Sequence, residues 1–165
     1  MAGVDVKLIN EAKPRQSAAD MAATFPRILL NDQPDLIIWQ TGTFDAIQGI
    51  NSDDYLAALD KGIEDLHAAQ VDVILVSMQY SPRTESMIAA GSYADNMRLA
   101  AVNRAVPLFD RFAIMREWND AGTFDLYAST KDAAIAERVH RCIGLLLADF
   151  TLEAMKLAEP AKETR

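Results

Sequence analysis

This chain has a single cysteine, Cys142, and only two histidines, His67 and His140, far apart in sequence. One cysteine excludes an intrachain disulfide, so cysteine usage neither supports nor excludes export. No Cys/His cluster has the spacing of a zinc site. The acidic pairs Asp53-Asp54 and Glu64-Asp65 read as a helix cap and a solvated face rather than metal ligands, and no cofactor motif is present. Long apolar runs are lacking too. None reaches the roughly 18–20 residues that would span a bilayer. The opening Met-Ala-Gly-Val-Asp-Val has no signal-peptide character. Basic residues are outnumbered, giving a net charge of −8, which argues against a nucleic-acid backbone or an anionic membrane as the main partner.

What is present is a globular composition. Half of the 165 residues are hydrophobic, enough to build one core. We read residues 1–157 as a single domain and 158–165 as a polar C-terminal tail. No repeat, linker or low-complexity stretch interrupts the chain.

Val4 to Ile9 alternates with period two and predicts an edge-type strand. A chain that starts so close to a strand reads as beginning in the middle of a larger fold. Ser17-Ala18-Ala19-Asp20 predicts a capping box opening a helix through about Leu30. Asp35 to Gln40 is the second strand, and Ser52 or Asp53 caps a helix with Leu56, Leu59, Ile63 and Leu66 on one face. Val71 to Met78 is a strong strand, and Tyr80 to Arg83 a loop. A helix over Tyr93–Asn103, a short strand over Val106–Asp110 and a short helix over Arg111–Trp118 follow. The last helix runs from about Lys131 to Lys156, burying Ile135, Val139, Ile143, Leu146, Leu147 and Phe150, with His140 at the margin of that face. Cys142 reads as a buried small hydrophobe.

Strands alternating with helices predict an α/β fold with a mostly parallel sheet covered on both faces. Ligands of such sheets bind beyond the C-terminal strand ends. Those ends carry Gly42 to Asp45, Gln79 to Arg83, and Asp110-Arg111. Arg15, Gly42, Thr43, Phe44, Asp45, Tyr80, Arg83 and Lys131 are therefore the cleft candidates. Each also has a plainer role as turn or surface residue, and Ser17 and Ser81 read as a cap and a turn rather than nucleophiles.

Five stretches resemble a bacterial branch of the SGNH (GDSL-type) ester hydrolases. They are Ala18-Ala19-Asp20-Met21, Pro34 to Asp45, Met78 to Arg83, Val106 to Arg111 with Met115, and Arg141-Cys142-Ile143-Gly144. The resemblance implies a three-layer α/β/α, flavodoxin-like fold and cleavage of acyl or acetyl esters of carbohydrates or lipids. It also implies that many relatives are exported, which leaves the compartment open.

The family's functional positions are not matched. Its nucleophilic Ser lies in a Gly-Asp-Ser block on a first strand that precedes this chain. Its oxyanion Gly corresponds to Arg15 and its oxyanion Asn to Phe44. Its Asp-x-x-His motif corresponds to Lys131 and Ala134. Asp132 and His140 lie nearby at the wrong spacing, about two helical turns apart. Three readings stay open: a catalytically degenerate binding or interaction domain, part of an active esterase whose Ser lies outside this chain, or unrelated chemistry in the same cleft. The implied loss of an internal strand predicts a gap or an exposed apolar edge. The Val4–Ile9 strand could pair directly with Asp35–Gln40, two chains could associate through the edge, or another segment could supply the strand.

Overall fold

Three parallel strands in the order β1-β2-β3 form the sheet: β1 (Leu36–Gln40), β2 (Asp72–Val76) and β3 (Leu108–Phe109). The computed structural model describes residues 6–127 and 132–158. β1 pairs with β2 from Leu36 opposite Asp72 to Gln40 opposite Val76, and β3 joins through Leu75–Leu108 and Val76–Phe109. Parallel pairing requires crossovers. The first runs through α3 (Thr43–Gln48) and α4 (Ser52–Ala68), the second through α5 (Pro82–Glu85) and α6 (Ala90–Arg104). Ahead of the sheet lie α1 (Ala18–Ala22) and α2 (Phe25–Asn31); after it come α7 (Arg111–Asp120) and α8 (Ala133–Ala158).

α1 and α4 start where side chains supply the missing backbone bonds. Ser17 Oγ accepts from the Asp20 N–H at 3.1 Å while the Asp20 carboxylate accepts from the Ser17 N–H at 3.0 Å, the reciprocal capping box that the sequence predicts. The helix does not continue to Leu30 as one piece. Pro26 has no N–H to donate to the preceding turn, so the chain restarts as α2 with proline in its first turn. Asn51 caps α4 one residue earlier than expected, its side chain accepting from the Asp53 N–H at 2.8 Å.

Side chains alternate across the sheet. Trp39 faces α2 and α4: its ring meets Phe25 edge-on at 5.0 Å. A Cβ on Gly62 of α4 would lie 2.6 Å from the same ring, so only glycine lets α4 seat there. Val76 and Phe109 are register partners and share the opposite face, where Phe109 meets Phe150 of α8 at 5.7 Å. Helices thus cover both faces, as expected. α8 buries Val139 and Ile143 and half-buries Ile135, Leu147 and Phe150. Leu146, expected on that face, is exposed along with Leu145, Leu152 and Met155. Cys142 is half-buried rather than buried, and His140 is exposed.

The Val4–Ile9 strand is not formed in its described part. Residues 6–9 are irregular and exposed, Leu8 at 86%; Val4 and Asp5 lie outside the described residues, as do 159–165 of the tail. Period two is a pattern a strand can use, but a strand needs a partner to satisfy its backbone. Among the described residues β1 pairs with β2 alone, leaving its far edge without a partner there, and Ile38 is 43% exposed. The direct pairing of residues 4–9 with β1 is therefore overturned for the described residues 6–9.

Candidate functional site

The three strands deliver their C-terminal ends to one side. β1 ends at Gln40 and enters Thr41-Gly42, β2 runs into Ser77, and β3 into Asp110 and Arg111. The β2 end is thus Ser77 rather than Gln79.

The turn after β1 is built around a buried carboxylate. Gly42 has φ +101° and opens α3 directly, a short helix where the sequence suggested only a turn. Asp45, on the first turn of α3, is 1% exposed. It accepts from the Ala18 N–H at 2.9 and 3.2 Å, and the Thr41 hydroxyl lies at 3.5 Å. Asp45 therefore ties the end of β1 to the start of α1. Burial pushes its carboxyl above the usual range. The N–H groups of Ala18, Asp45 and Gly42 and the Thr41 hydroxyl pull it back only in part. Tyr55 lies against this turn, its buried hydroxyl without a hydrogen-bond partner and its ionisation opposed first by burial and then by Asp45.

A second cluster links β2 to α7. Ser77 Oγ donates to Asp110 at 3.1 Å and accepts from the Phe112 N–H at 2.9 Å. Asp110 also accepts from the Ala113 N–H at 3.1 Å, capping α7, and from Arg98 at 2.7 Å. Every polar atom here has a structural job, and no histidine stands by as a base.

Arg111 is different. It is 8% exposed, and its Nη1 donates to Gln40 Oε1 at 3.2 Å across the end of β2. Its Nε has no partner, and no carboxylate among the described residues forms an ion pair with it. Burial alone pushes it down to about 10. Burying a charge without a counter-charge costs several kcal/mol.

The sequence-predicted cleft residues do not all converge. Gly42, Thr43, Phe44 and Asp45 share one turn, with Thr43 and Phe44 half-buried. Arg15 sits in an exposed turn two residues before the Ser17 cap, with φ +61°. Tyr80 is buried against Phe112, ring to ring at 5.4 Å, its hydroxyl pushed up first by burial and then by Glu85. Arg83 is exposed on α5, with no side-chain hydrogen bond or ion pair among the described residues. Lys131 lies outside the described residues. Asp132 caps α8, accepting from the Ala134 N–H at 2.9 Å and the Ile135 N–H at 3.3 Å; His140 lies further along the same helix, in solvent. Gln40 and Ser77 were not singled out. Their only sequence signal is position, at the end of an apolar strand. Among the described residues, no group of His, Cys, Asp and Glu could hold a metal ion, and no helix is long and apolar enough to cross a membrane.

A family described as the non-GDSL lipase-like family matches residues 1–157. No curated protein matches. Among solved structures, TesA is similar at 19% identity, covering 64% of this chain and 58% of that one, with a TM-score of 0.57. A mutant of the esterase AlinE4 is similar at 16% identity, covering 80% and 76%, with a TM-score of 0.58. A lipolytic G-D-S-L family protein from Desulfitobacterium hafniense reaches 18% identity, covering 58% and 54%, with a TM-score of 0.51. Identities this low show a shared fold. The chain spans about three-fifths of the length of TesA.

Proposed function

The chain belongs to the non-GDSL lipase-like family, and from that premise we propose that it is an SGNH-type domain that binds ligand without hydrolysing it. The turn after β1 carries this reading. At the position where the SGNH pattern needs an oxyanion-holding Asn stands Phe44, whose side chain has no donor. Losing one such donor typically costs about 10²–10³ in rate. A serine also needs a base within hydrogen-bond reach. Asp132 is occupied as a cap and His140 is exposed, in support of the same reading. The ligand class that the fold suggests is an acyl or acetyl ester of a carbohydrate or lipid, held at the strand ends.

Incubation of the folded chain with a fluorophosphonate probe tests this. The expected result is no adduct by mass spectrometry and no turnover of p-nitrophenyl acetate above buffer. A stoichiometric adduct on one serine, Ser81 for example, would overturn it.

The open edge of β1 favours a second reading, in which this chain is part of an active esterase completed by a strand from another segment. A longer chain carrying a Gly-Asp-Ser block in frame ahead of Met1 would then react with the probe. The same edge supports self-association. Light scattering should show a dimer whose population rises with concentration and falls in Ile38→Lys, since a charge on an edge strand opposes strand pairing. A monomer at every concentration would refute association.

A further inference from the structure

Arg111 is the only buried basic residue among the described residues, and none of their carboxylates forms an ion pair with it. The carboxylate next to it in sequence, Asp110, is already engaged by Arg98, Ser77 and the start of α7. A core position needing only bulk would be filled better by methionine or leucine. The charge is placed instead where parallel sheets bind ligands, beyond the C-terminal strand ends.

The neighbouring atoms complete a recognisable chemistry. Arg111 Nη1 pins the Gln40 side-chain oxygen, so the Gln40 amide nitrogen points its two hydrogens elsewhere. Gln40 is exposed. Among the described residues, the bond to Gln40 is the only side-chain hydrogen bond that Arg111 makes, and the residue keeps 8% of its surface exposed. The bond between them places the Arg111 guanidinium and the Gln40 amide side by side, so that N–H donors and a positive charge stand together at the strand ends. Such a pair selects an oxyanion, which a guanidinium grips through parallel N–H bonds. One cation with no second base matches a single negative charge.

We propose that Arg111 and Gln40 form a binding site for a carboxylate-bearing small ligand at the C-terminal end of the sheet. The site stands apart from ester hydrolysis, which the serine probe reads separately. An acidic chain of net charge −8 repels anions in general, so retention of one requires such a local, desolvated cation.

Acetate is the probe. The ¹⁵N-labelled full chain is titrated with sodium acetate against sodium chloride at constant ionic strength, following the Arg111 Nε–H resonance, assigned by its loss in Arg111→Lys. A saturable shift in the millimolar range is expected, weakened at least fivefold in Gln40→Leu, an exposed change that leaves the core intact. Acetate should also raise the Tm of the native chain and leave that of Arg111→Met unchanged, and Arg111→Met should be at least as stable as the native chain without ligand. A linear, unsaturating shift of equal size in Gln40→Leu would mean non-specific ion binding and overturn the proposal. So would no shift at all. An unfolded Arg111→Met together with an unaltered acetate response in Gln40→Leu would make Arg111 a structural residue and overturn it equally.

Discussion

Gly42→Val should destabilise the domain by about 3–4 kcal/mol, measured as a fall in the urea midpoint at constant m-value. Two costs add. At φ +101° a side chain sits in a region that L-residues avoid, a penalty of about 1–2 kcal/mol and heaviest for a β-branched residue. The new Cβ would also lie 2.8 Å from the Tyr55 hydroxyl and 3.1 Å from Met78 Cε, both buried, and overpacking of this kind costs about 1–3 kcal/mol. Gly49 isolates the first cost. Its φ is +63° and a Cβ there meets nothing within 4 Å, so Gly49→Ala should lose only about 1 kcal/mol. Tyr55→Phe isolates the second. It removes an oxygen with no hydrogen-bond partner, so alone it should be nearly neutral, and Gly42→Ala should cost less in that background than in the native one. Equal cost in both backgrounds would refute the steric account.

That one turn also shows how far the sequence could be read. The run from Asp35 to Gln40 was legible as β1, and Asp72–Val76 as β2, because each is a short apolar run too brief for a helix and bounded by turn residues. The Ser17–Asp20 box and the Leu59, Ile63 and Leu66 stripe were legible because caps and helical periods are local. The helix over Thr43–Gln48 was not. Six residues are too few to show a period, and its start depends on a positive φ that the sequence signals only as a glycine. The strand expected from Val4 failed over residues 6–9 for a non-local reason, since alternation does not supply a neighbouring ladder.

The placement of the candidate residues was legible only in part. Asp45 was readable as lying just past the end of β1, but its burial and its bond to Ala18 join residues 27 apart. Arg111 reads in sequence as the first polar residue after a strand. Only packing reveals that it is buried with no ion pair among the described residues and crosses β2 to reach Gln40.

Asp45→Ala should cost about 2 kcal/mol at neutral pH, whereas Asp45→Asn should stay within about 1 kcal/mol of the native chain. Alanine strands the buried Ala18 N–H, a loss of about 1–3 kcal/mol, and leaves a small void. Asparagine keeps an acceptor oxygen for that N–H and removes the buried negative charge. The pH dependence separates charge from hydrogen bonding. Burial raises the folded-state pKa of Asp45 above its unfolded value, so the folded chain binds more protons between the two values. Its contribution to stability is then greatest below the unfolded pKa and declines as pH rises through the folded one. Asp20 slopes the other way, because its bonds to Ser17 hold its carboxyl down and its contribution is lost on acidification. Taking the difference between Asp45→Asn and the native chain cancels that second slope. Urea unfolding across the acid range should therefore show the asparagine variant gaining on the native chain as pH rises from below the ordinary carboxylate value toward neutrality. A difference that stays flat would mean that Asp45 titrates alike in the folded and unfolded chain, and that its place between β1 and α1 costs the fold no charge burial at all.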